Sequence, residues 1–260
     1  KRTILFIHGL WIHASSWQPW TDFFNQHGYE TLSPGWPGDS ASVAESRANP
    51  QTIANRGVAE VVDSYTKIIA SLAEPPIVIG HSFGGLIAQV ILGRGIAASG
   101  IALDPAPIKG VWQLPFSALK ASFPVLGNPF NLRKAVSLSF SQFRYGFANA
   151  VPEQEARQLY DKWTIPAPAR PLFQAATATF AGSETKVNTA NGTRGPLLIT
   201  GGEKDHIAPP VLGKASLKKY NSSVITEFKL FQNRGHSLIA DHGWREVAEY
   251  SLAWLNKNGL

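Results

Sequence analysis

The stretch PIVIGHSFGGLIAQV at residues 76–90 constrains this chain more than any other. Ile77, Val78 and Ile79 are apolar and β-branched, which predicts a short buried strand; Gly84 to Leu92 predicts a helix with apolar residues on more than one face. Between them Gly80-His81-Ser82-Phe83-Gly84 fits G-x-S-x-G. Glycines at both ends let the backbone turn more tightly than side chains allow, leaving the Ser82 hydroxyl exposed at the head of the helix. The pattern alone is weak, since at ordinary glycine usage chance supplies it in roughly one chain in ten of this length. Its position between strand and helix gives it weight. A serine so presented calls for a base and an acid elsewhere.

The surrounding chain alternates in the same way. Thr3–Ile7 predicts a strand ending at His8-Gly9-Leu10-Trp11, and a helix follows from a Ser15 or Ser16 cap to Gly28. Tyr29–Leu32 predicts a second strand, residues 52–72 a long amphipathic helix, and Gly100–Leu103 a strand ending at Asp104-Pro105. After residues 197–200 a helix is predicted over 209–220, a strand over 224–231 and a final helix over 244–257. Strands alternating with helices imply an α/β protein with a mostly parallel sheet covered by helices on both faces. From residue 107 to 182 the alternation gives way to prolines and aromatics. Helices are predicted there at 116–123, 131–149 and 152–163. The expected organisation is a core of 1–106 and 183–260 with a helical insertion at 107–182.

Composition removes several function classes. Hydrophobic residues are 44% and charged residues 16%, which suits a compact globular chain. No apolar run approaches the ~18 residues of a membrane span, so a soluble protein is expected, with a cytoplasmic setting favoured over a secreted or periplasmic one. The net charge is +6, but the 24 Lys and Arg form no basic cluster interleaved with aromatics, so nucleic acid is not an expected partner. Cysteine is absent, which excludes disulfides and thiolate chemistry. No His pair shows i, i+4 spacing around a Glu, so no metal or cofactor is expected. Methionine is absent too, so the chain is expected to lack its initiator.

In an open parallel sheet the reactive groups sit just beyond the carboxyl ends of strands. Ser82 lies beyond one such end. GGEKDHIAPP, after 197–200, offers Glu203 and Asp205, and QNRGHSL, after 224–231, offers His236. A nucleophile, an acid and a base thus emerge in the order Ser, Asp, His. Asp104 is a second acid beyond a strand, though a turn-making Asp before Pro is its alternative reading. His13, His206 and His242 are rival bases, and Ser82 has the plainer alternative of a helix N-cap.

Taken together, HGLW after the first strand, GHSFGG, GGEKDHIAP and RGHSL make the sequence similar to α/β-hydrolase-fold serine hydrolases of the esterase, lipase and lactonase kind. The resemblance covers nearly the whole chain outside the insertion, which corresponds to a helical cap. The chain starts at what would be the third strand of larger members, so their leading strands are expected to be absent or removed. The resemblance implies Ser82 as nucleophile, His236 as general base, Asp205 as the acid that orients it, and an oxyanion hole made by the Leu10 and Phe83 backbone N–H groups. It also suggests that His8 braces the oxyanion loop. An apolar pocket is expected from Trp11, Trp36, Trp112, Phe116, Phe143 and Trp163, which favours a small apolar ester or lactone as substrate. The same scaffold supports perhydrolase or haloperoxidase-like chemistry, C–C hydrolysis, hydroxynitrile cleavage and cofactor-free oxygenation, and a receptor with little turnover is an alternative of another class.

Overall fold

The computed structural model describes residues 1–221 and 223–260. In chain order the strands are β1 (Thr3–Ile7), β2 (Glu30–Leu32), β3 (Ile77–His81), β4 (Ser99–Leu103), the two-residue β5 (Ala135–Val136) and β6 (Ala167–Pro168), β7 (Leu197–Gly202) and β8 (Thr226–Phe231). Six of them form one sheet, ordered β2-β1-β3-β4-β7-β8, with every pairing parallel. β5 and β6 pair antiparallel, apart from that sheet. Parallel neighbours require crossovers. These contain α1 (Gln18–Gln26), α2 (Val43–Ala48), α3 (Val58–Ala70), α4 (Phe83–Gly93), then α5 (Phe116–Leu126), α6 (Phe140–Gly146), α7 (Glu153–Trp163) and α8 (Arg170–Thr177) between β4 and β7, and α9 (Pro210–Leu217) before β8; α10 (Trp244–Lys257) follows the last strand.

The inner strands β1, β3, β4 and β7 are buried on both faces, so they are almost continuously apolar while their side chains still alternate. Leu5, Ile7, Val78, Ala102, Leu197 and Ile199 join one core with Val61 and Tyr65 of α3 and Leu86 and Ile91 of α4. Their neighbours Ile4, Phe6, Ile77, Ile79, Ile101, Leu103 and Leu198 join the other, with Trp20 and Phe24 of α1 and Val247, Trp254 and Leu255 of α10. Every residue of α4 is buried, which accounts for its apolar residues all round.

Several boundaries differ from the sequence expectation. The first helix opens as a 3₁₀ turn at Ala14–Trp17, capped by the His13 side chain rather than by Ser15 or Ser16; Gly28, at φ +89°, follows its end. The helix expected over 52–72 starts at Val58 after a Gly57 cap, because Asn55 adopts φ +62° and breaks the run. The helix expected over 131–149 is divided: β5 occupies 135–136, and Ser139 with Gln142 forms a capping box that starts α6 afresh. Helices α2 and α8 were not expected; both are short and lie in turn- or proline-rich sequence. Among the described residues no helix is long and apolar enough to cross a membrane.

Candidate active site

Ser82 occupies a strained turn between β3 and α4. Its φ of +58° and ψ of −122° suit almost no residue except glycine. The glycines on either side are required by contact. A Cβ on Gly80 would lie 1.9 Å from the Gly84 carbonyl oxygen, and one on Gly84 would lie 2.0 Å from that of Ile7. The strain is held by hydrogen bonds: Ser82 N–H donates to Leu103 O at 3.0 Å, and its carbonyl accepts from Gly85, Leu86 and Ala106.

His236 stands at the end of the turn after β8 and is fully buried. Its Nδ1–H donates to Asp205 Oδ2 at 2.6 Å. That bond fixes the tautomer and leaves Nε2 with a free lone pair, as a base needs. Among the described residues, Nε2 is buried without a hydrogen-bond partner, Ser82 Oγ included. Asp205 is itself locked, its Oδ1 accepting the N–H groups of Ile207 at 2.7 Å and Ala208 at 2.9 Å. Burial opposes ionisation of Asp205, yet the adjacent imidazole and the hydrogen bonds hold its carboxyl below the usual range.

His81 braces the same imidazole from beneath. Its Nε2–H donates to the His236 carbonyl at 2.9 Å, and the two rings lie 4.5 Å apart. Burial first, then the neighbouring His236, pushes His81 well below an ordinary histidine, so it stays neutral.

Asp104 is closer to this centre than its turn-forming alternative implies. It is fully buried at φ +45°, and its oxygens accept from Thr200 Oγ1 and the Gly202 N–H, each at 2.9 Å. Ligating atoms of Asp104, Asp205 and His236 all lie within 4.8 Å of one another. The two carboxyls are therefore close neighbours in a buried setting, where two like charges oppose each other. Burial and then the Asp205 charge push Asp104 well above an ordinary carboxyl, which favours its protonated form. All four carboxyl oxygens are already engaged in hydrogen bonds, an arrangement closed around protons rather than open to a cation.

The HGLW loop packs directly on the serine. A Cβ on Gly9 would lie 2.7 Å from Ser82 Cβ and 3.3 Å from Phe83 N. Among the described residues, the N–H groups of Leu10 and Phe83 find no acceptor. His8 stabilises this loop, its Nδ1–H donating to Gly9 O at 2.7 Å while Nε2 meets Asp39 Oδ2 at 2.7 Å. Two such free donors beside a serine hydroxyl can receive developing negative charge on a carbonyl oxygen.

A cavity of about 200 Å³ opens over Ser82 and Phe83. Trp112, Leu114, Leu119, Leu126, Leu172 and Phe180 wall it from the insertion, and Ile207, Ala208 and Leu212 from beyond β7. Among the described residues none of the lining side chains is ionisable. Of the six aromatics expected there, only Trp112 lines this cavity. Trp11 and Trp36 are buried braces of the loop, because an enclosed indole N–H must find an acceptor; Trp11 donates to Val136 O at 3.0 Å and Trp36 to His8 O at 2.9 Å. Phe143 is stacked on Phe147, with centroids 5.1 Å apart, as part of the core. Phe116 points to solvent, and Trp163 lines a separate hollow with Gln18 and Trp244. The rival histidines are engaged elsewhere: His13 bonds Ser40 O, His206 bonds Tyr145 O and His242 pairs with Glu155.

No curated protein matches this sequence. Among solved structures, a monoacylglycerol lipase from Paleococcus ferrophilus is 20% identical with a TM-score of 0.71, the alignment covering 98% of this chain and 94% of that one. An extracellular alpha/beta-hydrolase from a Paenibacillus species is 19% identical with a TM-score of 0.69, covering 97% and 98%. A methylesterase from Arabidopsis is 15% identical with a TM-score of 0.68, covering 98% and 99%. A family model described as the alpha/beta hydrolase family matches residues 4–250. With the sheet order, the strained serine turn and this match in agreement, the chain belongs to the alpha/beta hydrolase family.

Proposed function

We propose that this chain is a serine hydrolase that cleaves a small apolar carboxylic ester or lactone through an acyl-enzyme. The observation that carries the reading is His236, with Nδ1 bound to Asp205 at 2.6 Å and Nε2 buried and, among the described residues, unpartnered. Its brace, His81, is the residue next to Ser82. In the free enzyme such a base is often not yet bonded to its nucleophile, and the bond tightens when substrate enters. Ser82 Oγ attacks the carbonyl carbon as its proton passes to His236 Nε2. The oxygen becomes an oxyanion held by Leu10 and Phe83 N–H. Collapse expels the alcohol, which takes the proton from His236, and water then repeats the sequence to free the acid. Losing either donor is expected to cost about 3 kcal/mol of transition-state stabilisation.

The uncharged cavity walls favour an apolar acyl or alcohol group, and about 200 Å³ suits a small or medium one. In this reading residues 107–182 act as a cap on a core of 1–106 and 183–260. The esterase and lipase structures of similar fold agree with ester chemistry. The test is labelling with a fluorophosphonate and mass mapping, run beside a graded series of nitrophenyl esters. The expected result is one adduct on Ser82, turnover that varies with chain length, and loss of both in Ser82→Ala. An adduct without ester turnover would point to another reaction of the same triad, and no adduct would remove Ser82 as nucleophile.

A further inference from the structure

The insertion presents to solvent the kind of side chains that the rest of the molecule buries. Trp112, Phe116, Phe123, Phe130 and Phe180 are 65%, 79%, 70%, 80% and 87% exposed. Helix α5 explains how they come together. Its inner side, Ala118, Leu119, Ser122 and Leu126, lines the cavity above Ser82. Its outer side carries Phe116, Lys120 and Phe123, spaced i, i+4, i+7 and therefore on one face. The turn at Pro129–Asn131 is tied to the end of α5 by Asn131 Nδ2, which donates to Val125 O at 3.1 Å, and this holds Phe130 beside that helix. Trp112 and Phe180 stand at the rim of the cavity itself.

Charge selects the partner. Residues 105–152 contain no Asp or Glu, yet they carry Lys109, Lys120, Arg133, Lys134 and Arg144. Arg144 is paired with Glu153 beyond that segment, whereas exposed Lys120, Arg133 and Lys134 make no ion pair among the described residues. A two-fold contact between copies would set this cationic patch against itself, which disfavours self-association through it. A negatively charged lipid–water interface satisfies both features: aromatic rings enter the headgroup boundary while cations meet the phosphates.

We propose that the outer face of α5 and the 129–134 turn form a docking surface for an anionic lipid interface. Docking presents the cavity rim to the lipid, so an apolar ester would enter over Ser82 without crossing water. Only that delivery rests on the hydrolase reading; the docking does not.

The test is co-sedimentation of the full chain with phosphatidylcholine vesicles, with and without 30 mol% phosphatidylglycerol (about that fraction gives a strongly negative surface). Binding is expected with the anionic vesicles and not with phosphatidylcholine alone, and it should weaken as salt rises. Arg133→Gln or Lys134→Gln should each reduce partitioning about five-fold, the effect of one lost cation near such a surface. Phe123→Ser combined with Phe130→Ser should abolish it while hydrolysis of a soluble nitrophenyl ester stays unchanged. Ser82→Ala should bind vesicles like the parent chain, which separates failure of docking from failure of the hydrolase reading. Absence of vesicle binding, or binding indifferent to these substitutions, would overturn the proposal. Concentration-dependent dimerisation abolished by the paired Phe substitutions, without vesicle binding, would assign the surface to a second copy instead.

Discussion

Replacing Asp104 by Asn separates two roles that the geometry leaves side by side. Burial together with the Asp205 charge raises Asp104 and favours its protonated form, while Asp205 is held below the usual range. Asn reproduces a neutral Asp104, and its carbonyl accepts one hydrogen bond. What it loses is an acceptor for either Thr200 Oγ1–H or Gly202 N–H, a cost of about 1–3 kcal/mol for one unsatisfied buried group. What it removes is a titration. A carboxyl whose folded pKa is raised contributes stability that is fully present below its ordinary value of about 3.9 and is lost as pH rises through the folded value. Within that window the loss is ~1.4 kcal/mol per pH unit for one retained proton. Between pH 5 and 8 the stability difference should therefore move toward Asp104→Asn. At about 2–4 °C per kcal/mol for a chain near this size, calorimetric melting of both proteins across that range resolves the effect. Turnover of Asp104→Asn should remain within about ten-fold of the parent. Asp205→Asn should fold yet lose about 10⁴-fold, or ~5 kcal/mol, because the wrong histidine tautomer is held. Melting curves that stay parallel with pH would mean that Asp104 is ionised. A larger loss of turnover in Asp104→Asn than in Asp205→Asn would make Asp104 the catalytic acid.

His81 predicts the opposite slope. Its pKa is lowered, so the stability it contributes is present above pH ~6.5 and is lost as pH falls through the folded value; His81→Asn should flatten the acid side of the melting profile while lowering kcat. Gly9→Ala should reduce kcat by at least ten-fold and lower the melting temperature, because its Cβ would sit 2.8 Å from His81 O and 2.7 Å from Ser82 Cβ. Ser82→Gly should abolish labelling and raise stability by about 1 kcal/mol through relief of the +58° φ, measured by denaturant unfolding.

Much of this molecule is written locally in its chain. Strands β1, β3, β4 and β7 are legible because a parallel sheet buried on both faces needs nearly unbroken apolar runs. The Ser82 turn is legible because only Gly-flanked sequence can bend so tightly, and the order Ser82, Asp205, His236 follows from one reactive residue per strand end. The helix expected across 131–149 fails because it depended on composition, whereas the local Ser139–Gln142 cap restarts the chain. Which aromatics line the cavity depends on the direction each face takes after packing. Trp11 and Trp36 are drawn inward by acceptors for their N–H groups, Phe143 is taken into a ring stack, and α5 turns Ala118 and Leu126 toward the cavity but Phe116 and Phe123 outward. The side-by-side carboxyls of Asp104 and Asp205, and the hydrogen bond from His81 to His236, join residues 101 and 155 positions apart in sequence. No period or motif encodes such pairs. They exist because a parallel sheet sets the ends of β3, β4, β7 and β8 side by side, and burial there makes each proton's position matter.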